Sequence, residues 1–451
     1  MPRTIPEAAI EAMLARETAL FTMRNINSKR FSERTAKNWL KGVPMHWMVD
    51  WGTPFPLFIE KASGVDVTDA DGNSYVDFCL GDTGAMFGHS PPPVVRALQE
   101  QGGNGFTTML PSLEAADVGE LLADRFGLPC WQVTATASDA NRAVIKWCRA
   151  ITGRKKILVF NHCYHGAVEE TCVTIDGGTA HADPSLIGEV RDLTTFTKVV
   201  EFNDVAALEA ALAPEDVACV LAEPIMTNVG MVLADEGYHA KLRELTRRTG
   251  TLLIIDETHS MSSGPGGYTR EFGLEPDGMV LGKPIAGGIP AAVYGFTDEA
   301  ASRIRSFLET RVPGHSGIGT TLSGSKIQLA LMKAVLETYF TPEAFAPLIA
   351  LAKMLVKGIA NVIAKHSVPW HVVRVGARVE FMCCPTPPRN GGEAAKLIHQ
   401  PIDQAIHHYL LNRGVIVTPF HNMMLICPAT TEAHVKRLID GLDHCIGELM
   451  G

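Results

Sequence analysis

The stretch VLGKPIAGGIPAAVYG, residues 280–295, carries one charged side chain, that of Lys283, among apolar residues, glycines and prolines. Lysine is normally exposed, and burying its ammonium group without a partner costs free energy or drives it to the neutral amine. A neutral lysine amine is a nucleophile that can form a Schiff base with an aldehyde. Two interpretations of Lys283 therefore stand open: a surface charge on a loop, and an activated amine.

Short apolar runs alternate with amphipathic helices on the N-terminal side of Lys283, back to about residue 90. Two of them, TLLIIDE and GMVLG, lead directly into this stretch. Apolar runs of four to six residues between helices are typical of a largely parallel sheet that is buried on both faces. We therefore predict an α/β fold in which helices cover a mostly parallel sheet.

Composition and charge exclude several classes of protein. The chain has 451 residues, is 46% hydrophobic and 20% charged, and has a net charge of -9. The negative charge argues against nucleic acid and anionic membranes as partners. The N-terminal residues are charged throughout and predict an amphipathic helix, and no uncharged apolar run approaches the ~18 residues of a membrane span. The ten cysteines are scattered without metal-binding spacing, which favours reduced thiols, no metal site and a cytoplasmic location.

A carboxylate and an amine are expected at one edge of this sheet. Asp256 follows the apolar run Leu252–Ile255, and it precedes Lys283 by 27 residues (283 − 256) with one predicted strand between them. Parallel strands end at a common edge, so both side chains could emerge together. They could form a structural salt bridge, or they could bracket pyridoxal phosphate, with the lysine bonded to its aldehyde and the aspartate facing its ring nitrogen.

Other polar residues follow predicted strands, and each has a structural alternative. The small residues before a predicted helix at Ser138 could bind phosphate or simply cap the helix. Tyr164 and His165 could contact an aromatic ring or only pack. Glu223 ends another strand, and the hydroxyl group of Thr321 lies near the start of a long helix.

The blocks PFPLFIEKASGVDVTDADGNSYVDF, GHSPP, ASDAN, TGRKKILVFNHCYHG, AEPIMTN, IIDE, GKPIAGGIPAAVYG and TTLSG occur in one order from about residue 55 onward. In order and spacing they resemble class III aminotransferases, which are fold type I enzymes that depend on pyridoxal phosphate. The branch most similar is that of glutamate-1-semialdehyde aminomutases and β-amino-acid aminotransferases. Helix- and strand-like segments after about residue 325 predict a smaller α+β domain. The resemblance implies that the large sheet has seven strands, that the N-terminal segment packs with the smaller domain, and that the protein is a homodimer.

The resemblance also implies roles for individual residues. Lys283 would form the Schiff base and move protons, and Asp256 would face the pyridine nitrogen. Tyr164 would stack on the ring, and Thr321 would reach the phosphate of the other subunit. The full set implied to bind the cofactor is Ala137, Ser138, Tyr164, His165, Glu223, Asn228, Asp256, His259, Lys283 and Thr321.

The chain departs from the family pattern at several places. The usual phosphate turn Ser-Gly-Thr-Glu-Ala is replaced by Thr136–Ala140, which should still bind phosphate through backbone N–H groups. After Asp256-Glu257 the family usually has valine and then glutamine or methionine, whereas this chain has Thr258 and His259. His259 would lie near the phenolic oxygen of the cofactor, where it could tune the Schiff base or only satisfy a hydrogen bond.

Substrate residues are harder to predict. Arginines that bind carboxylates in the β-amino-acid enzymes are missing before PFPL and near FHNMM, where the chain has aromatic residues and His421 instead. Arg378 remains a candidate carboxylate partner. The predicted substrate residues are Trp47, Trp51, Arg378 and His421.

We therefore predict an aminotransferase that moves an amino group from an amine or amino acid to a keto acid such as pyruvate. An aminomutase of the glutamate-1-semialdehyde type is the first alternative, for which the loop GHSGIG, residues 314–319, could form a lid. A non-catalytic binding protein is the second. Predicted domains are an N-terminal segment, 1–75, that packs with the small domain, a large cofactor-binding domain, 76–325, and a C-terminal small domain, 326–451.

Overall fold

The protein is described from a computed structural model that covers residues 4–314 and 317–451. His315 and Ser316, which belong to the predicted lid, lie outside the described residues. Helices α1–α14 span, in chain order, Glu7–Arg24, Ile26–Thr35, Pro92–Gln101, Glu114–Phe126, Ala137–Thr152, Val205–Leu212, Tyr238–Arg248, Gly267–Glu271, Asp298–Glu309, Lys326–Thr338, Pro342–His366, Gly391–Leu397, Gln400–Asn412 and Glu432–Met450. Short 3-10 helices span His46–Val49, Glu169–Thr171, Leu193–Thr195, Ser260–Ser263 and Lys283–Ala286.

Strands complete the secondary structure. Strands β1–β16 span, in chain order, Ile59–Ser63, Asp66–Asp69, Ser74–Asp77, Cys130–Thr134, Lys156–Phe160, Val173–Asp176, Thr179–Ala182, Thr197–Val200, Val217–Ala222, Leu252–Asp256, Gly278–Leu281, Ala292–Phe296, His371–Val375, Arg378–Met382, Val415–Ile416 and Asn422–Leu425.

A seven-stranded sheet with the order β4-β12-β11-β10-β9-β5-β8 organises the middle of the chain. The pairs from β11 through β10, β9 and β5 to β8 are parallel, whereas β12 runs antiparallel to both β11 and β4. Every residue of β9, β10 and β11 is buried, which explains why these strands are continuous apolar runs. The predicted mostly parallel α/β sheet is confirmed.

Helix α5 follows the edge strand β4 and packs on this sheet. The Thr136 side chain caps its N-terminus by accepting a hydrogen bond from the backbone N–H of Asp139, and Gly153 ends it with a left-handed φ of 70°. Ala140, Val144 and Trp147 are among its buried residues, at the three- and four-residue steps expected of one helix face. The cap and the apolar face together fix where α5 begins, directly after β4.

The chain forms two compact units. The first comprises Met1–Pro91, Ala346–Pro387 and Leu397–Gly451, and the second comprises Pro92–Phe345 and Pro388–Lys396. These units differ from the predicted boundaries at 75/76 and 325/326. One reason is that α10 packs on α3 and α4 of the second unit rather than on the C-terminal elements.

The first unit contains two sheets, with the orders β1-β2-β3-β15 and β13-β14-β16. Asp71-Gly72, a dipeptide typical of hairpin turns, connects the antiparallel strands β2 and β3. Strand β3 also pairs in parallel with β15, with Val76 opposite Val415, so the N-terminal hairpin and a C-terminal strand share one sheet.

Helix α11 is, within residues 4–314 and 317–451, the one helix whose length and composition would permit it to cross a membrane. Its residues Leu348, Ala352, Leu355, Ile359 and Val362 are buried in the core of the first unit. They recur at steps of four and three residues, which places them on one face. That face of α11 is therefore packed against protein.

Candidate active site

Asp256 and Lys283 lie at one edge of the large sheet. Strand β10 ends at Asp256, and its parallel neighbour β11 ends at Leu281, two residues before Lys283. Lys283 begins a 3-10 helix with a φ of 39°, a left-handed conformation that L-residues seldom adopt. The sheet thus brings the predicted carboxylate and amine to the same edge, as the spacing of the two strands predicts.

Four hydrogen-bonding groups surround the buried carboxylate of Asp256. Its Oδ2 accepts a hydrogen bond from Asn141 Nδ2 at 2.8 Å and lies 2.9 Å from His165 Nδ1. Its Oδ1 accepts hydrogen bonds from the backbone N–H and the hydroxyl group of Thr258, at 3.0 and 2.6 Å. Burial by itself raises the pKa of the Asp256 carboxyl, but hydrogen bonding and the charge of His165 outweigh it, so this pKa lies below its ordinary value. Asp256 is therefore held as a carboxylate.

His165 is buried behind this carboxylate. Burial by itself lowers the pKa of His165, but the neighbouring Cys163 thiol and the Asp256 carboxylate raise it well above its ordinary value. The Nε2 atom of His165 is buried and makes no hydrogen bond to any residue in the described part of the chain. The Cys163 side chain is the neighbour whose charge and hydrogen bonding act on this ring besides Asp256.

The amine of Lys283 has a histidine as a neighbour. Lys283 Nζ lies 2.6 Å from His259 Nε2. Gly282 brings the lysine backbone close to α5, because a Cβ atom at this position would meet Ala137 Cβ at 2.8 Å. The lysine is thus anchored beside the N-terminus of α5.

The N-terminus of α5 and the turn at Gly166 form one compact corner. Ser138 Oγ accepts a hydrogen bond from the backbone N–H of Ala167 at 2.9 Å. Gly166 has a φ of 81°, and a Cβ atom here would overlap Ser138 Oγ. Only glycine fits this approach, which keeps the turn against the free N–H groups and positive dipole end of the helix.

Tyr164 and Glu223 lie at the ends of β5 and β9. The Tyr164 side chain is 40% exposed, which leaves ring surface for stacking. Glu223 is buried, and it accepts hydrogen bonds from the Tyr164 backbone N–H at 3.4 Å and from the backbone N–H and hydroxyl group of Thr227. Burial raises the pKa of Glu223 more than the charge of His165 lowers it. Asn228 is exposed and donates to the carbonyl oxygen of His162 at 3.2 Å, so it supports the segment that carries Tyr164.

The predicted substrate residues lie in the first unit. Trp47 packs edge-on against Phe420, with ring centroids 5.1 Å apart. Trp51 packs against the small core around Phe21. Arg378 is fully buried at the start of β14, and its Nη1 lies 3.5 Å from Thr83 Oγ1. His421 is also buried, with Nδ1 2.6 Å from Glu380 Oε1. Their roles toward a substrate stay predictions.

Thr321 lies in the second unit, where it is exposed. It lines a cavity of about 720 Å³ together with residues from the loop before α4, among them Met109 and Leu110. Both of these side chains are about three-quarters exposed, at 75% and 73%. Its predicted contact with the phosphate of another subunit stays a prediction.

Two residues of the site escape sequence reasoning. Asn141 is fully buried on α5 and binds Asp256, and Thr227 binds Glu223. The sequence gives only a weak signal for Asn141. Its amide side chain directly follows Ala140, which belongs to the apolar face of the helix. Thr227 belongs to the quoted block AEPIMTN, but nothing in the pattern separates it from its polar neighbours.

These residues fit pyridoxal phosphate. The cofactor needs an amine for its aldehyde, a carboxylate for its ring nitrogen, an aromatic face and an anion site. Lys283, Asp256, Tyr164 and the N-terminus of α5 supply these groups at one sheet edge. The close approach of Gly166 to Ser138 keeps the turn against the N-terminus of α5, where a bound phosphate would lie.

Comparison with known proteins agrees with this fit. The family pattern of the aminotransferase class-III proteins matches residues 48–446. Glutamate-1-semialdehyde 2,1-aminomutase 1 of Cenarchaeum symbiosum is 30% identical over 400 residues, which cover 87% of this chain and 92% of that protein. The corresponding aminomutase of Aquifex aeolicus is 28% identical over 392 residues, covering 85% and 90%.

Solved structures of this family resemble the chain as well. The crystal structure of a glutamate-1-semialdehyde-aminomutase from Pseudomonas aeruginosa PAO1, its K286A variant in complex with PMP, is 48% identical, with a TM-score of 0.96 and 99% of both chains covered. A β-phenylalanine aminotransferase from Variovorax paradoxus is 24% identical, with a TM-score of 0.86 and 97% of both chains covered, and shares the fold. The chain therefore belongs to the class-III aminotransferases, and it is an enzyme of fold type I that uses pyridoxal phosphate.

Proposed function

We propose that the protein is an aminomutase of the glutamate-1-semialdehyde type, which moves an amino group between two carbons of one molecule. The observation that carries this proposal is the 48% identity, over 99% of both chains, to the Pseudomonas aeruginosa aminomutase structure. Curated aminomutases at 28–30% identity support it. These findings favour the alternative given above over the main sequence-based prediction, an aminotransferase that uses two substrates.

The chain's own residues have defined tasks in this reaction. Bound pyridoxal phosphate supplies an aldehyde that exchanges amino groups and a ring that withdraws electrons. The Lys283 amine would hold that aldehyde and then take a proton from one substrate carbon and return it to another. Asp256, kept ionised by His165, Thr258 and Asn141, would hold a proton at the ring nitrogen.

Other residues position the cofactor. Backbone N–H groups at the start of α5 would bind its phosphate, because they have no partners within the helix and lie at its positive end. The exposed ring of Tyr164 would cover one face of the cofactor. Glu223 keeps the Tyr164 segment in place through the backbone N–H of that residue.

A single-substrate assay tests the proposal. Protein loaded with pyridoxal phosphate is incubated with glutamate-1-semialdehyde (4-amino-5-oxopentanoate) and no second substrate, and the exchanged product, 5-amino-4-oxopentanoate, is measured. We expect turnover in wild type and none in Lys283→Ala. Turnover that requires both an amine donor and pyruvate would overturn the aminomutase proposal and support the sequence-based prediction of an aminotransferase.

A homodimer is part of the proposal. Thr321 and the neighbouring Leu322 are exposed, as are Met109, Leu110 and Leu113, in the second unit. Met109, Leu110 and Thr321 line one cavity, so the two segments that carry these residues adjoin. Exposed apolar side chains on adjoining segments are typical of a surface that another chain covers. The small-molecule substrates and the cytoplasmic location predicted from the sequence belong to this proposal as well.

A further inference from the structure

We propose that His259 is a positioning residue for Lys283, holding its amine by a hydrogen bond and sharing one proton with it. The inference rests on the proposed role of Lys283 as the reacting amine. It goes beyond the family pattern, in which glutamine or methionine usually occupies this position. Neither of those side chains can exchange a proton at neutral pH.

The backbone that carries His259 is held firmly. Its carbonyl oxygen accepts a hydrogen bond from Ser262 Oγ at 3.1 Å. The preceding Glu257 is fully buried and accepts hydrogen bonds from Ser260 Oγ at 2.5 Å, from the backbone N–H of Tyr268 at 3.0 Å and from that of Thr269. Burial raises the pKa of the Glu257 carboxyl. The 3-10 helix and the loop after His259 are thus tied to the end of β10.

Lys283 is held from the other side. Its left-handed φ of 39° and the close approach of Gly282 to Ala137 fix its backbone beside α5. The distance of 2.6 Å between Lys283 Nζ and His259 Nε2 therefore joins two side chains with supported backbones. The support of both backbones favours this contact between the two side chains.

A contact this short permits one proton between the two nitrogen atoms. An ammonium group has three donors and no acceptor, so His259 Nε2 must accept when the lysine is charged. An imidazolium can donate here only to a neutral amine. Two cations at this distance would repel each other strongly. Protonation of one group therefore opposes protonation of the other, and the histidine can store the proton when the amine must be neutral to attack.

Other titratable groups at this sheet edge have their own partners. Asp256, from β10, pairs with His165, from the loop after β5. Glu223, at the end of β9, binds Thr227, and Glu257 points to Ser260 and the loop at Tyr268. These groups and their partners are the same in wild type and in Lys283→Ala, so the difference between the two proteins reports the effect of Lys283 on His259.

Exchange of the imidazole C2 hydrogen with deuterium, followed by mass spectrometry of the His259 peptide, tests the shared proton. The full-length chain without added cofactor or substrate is compared with Lys283→Ala across pH 5–9. Since one neighbouring charge typically shifts a titration by about one unit, we expect the exchange midpoint of His259 to lie about one pH unit lower in wild type. His181, on the hairpin strand β7, is the internal control and should not change. Identical His259 curves in the two proteins would overturn the proposal.

A second experiment tests the consequence for turnover. His259→Gln keeps a hydrogen-bonding side chain that cannot exchange a proton, and His181→Gln is the matched control. We expect kcat of His259→Gln to fall about tenfold or more, with KM nearly unchanged and the acidic limb of the pH profile displaced. A wild-type pH profile in His259→Gln would contradict the inference. Because the exchange experiment needs no substrate, it stays informative if the proposed aminomutase reaction fails.

Discussion

Lys283 is the residue whose removal has the sharpest expected result. Lys283→Ala should fold with a Tm within about 2 °C of wild type, because the side chain is not part of an apolar core. It should lose turnover completely. Borohydride reduction followed by peptide mass spectrometry should attach the cofactor to the Lys283 peptide of wild type only. A reduced adduct on another lysine in wild type would show that the amine is misassigned.

Asp256 and His165 give a pH-dependent prediction. The lowered pKa of Asp256 stabilises the fold above about pH 4, and this stabilisation is lost as pH falls through the folded value. The raised pKa of His165 stabilises the fold below about pH 6.5, and this is lost as pH rises through the folded value.

The variant His165→Asn separates these two contributions, because asparagine can still donate to Asp256 but carries no charge. We expect wild type to exceed it in Tm by about 2 °C or more between about pH 4 and 6.5, and by less at alkaline pH. Thermal denaturation of both cofactor-free proteins across pH measures this. A Tm difference that does not vary with pH would contradict the ion pair.

Single residues also mark where sequence reasoning succeeds. The edge position of Asp256 and Lys283 is predictable because each follows an apolar run that is typical of a buried parallel strand. The role of Asn141 is not predictable, because it depends on a hydrogen bond to Asp256, which lies 115 residues away in sequence. The contact between His259 and Lys283 likewise depends on how two strand ends meet in space.

At the level of elements, the corner between α5 and the Gly166 turn can be tested directly. Gly166→Ala forces a Cβ atom into Ser138 and should weaken pyridoxal phosphate binding by about tenfold, since such overpacking typically costs about 1–3 kcal/mol. Gly178→Ala is the matched control, with the same φ of 81° and no atom within 4 Å of the added Cβ. Spectroscopic titration with the cofactor compares the two. Equal losses of affinity would mean that backbone strain alone, and not the contact with Ser138, is responsible.

Strands β9, β10 and β11 could be predicted because burial on both faces makes them continuous apolar runs. The hairpin of β6 and β7, with the sequence VTIDGGTAHA, is not predicted, because each strand has only four residues and few large apolar side chains. The reversed direction of β12 was also not specified, since a fully buried strand looks the same in either direction.

For the whole molecule, self-association is the main prediction. The double variant Leu113→Asp with Leu322→Asp places charges at side chains that are 93% and 60% exposed in the second unit. We expect sedimentation analysis to show a dimer for wild type and self-association at least about tenfold weaker for the variant. Ile187→Asp, at a side chain that is 93% exposed elsewhere in this unit, is the control. A wild-type monomer, or equal effects of both changes, would contradict the proposed interface.

The division of the chain into units could be predicted only in outline. Local patterns predict strands and helices, but they carry no information on which distant segments pair. Strand β3 pairs with β15 more than 300 residues later, and α10 packs on α3 and α4 of the second unit. Both facts move the boundaries away from those that a linear reading of the chain predicts.

The neighbouring acids Asp256 and Glu257 have a consequence for interpreting large-scale mutagenesis. Successive residues at a strand end point to opposite faces, so one acid faces the lysine edge and the next clamps the loop at Tyr268. In a deep mutational scan, both positions should be intolerant of substitution. When protein abundance is measured, mainly the Glu257 variants should be depleted. Each hydrogen-bond donor that loses Glu257 as its acceptor costs about 1–3 kcal/mol of stability. Conservative Asp256→Asn should remain abundant and fail only in a growth selection for activity. Two adjacent codons would thus report separately on expression and on chemistry.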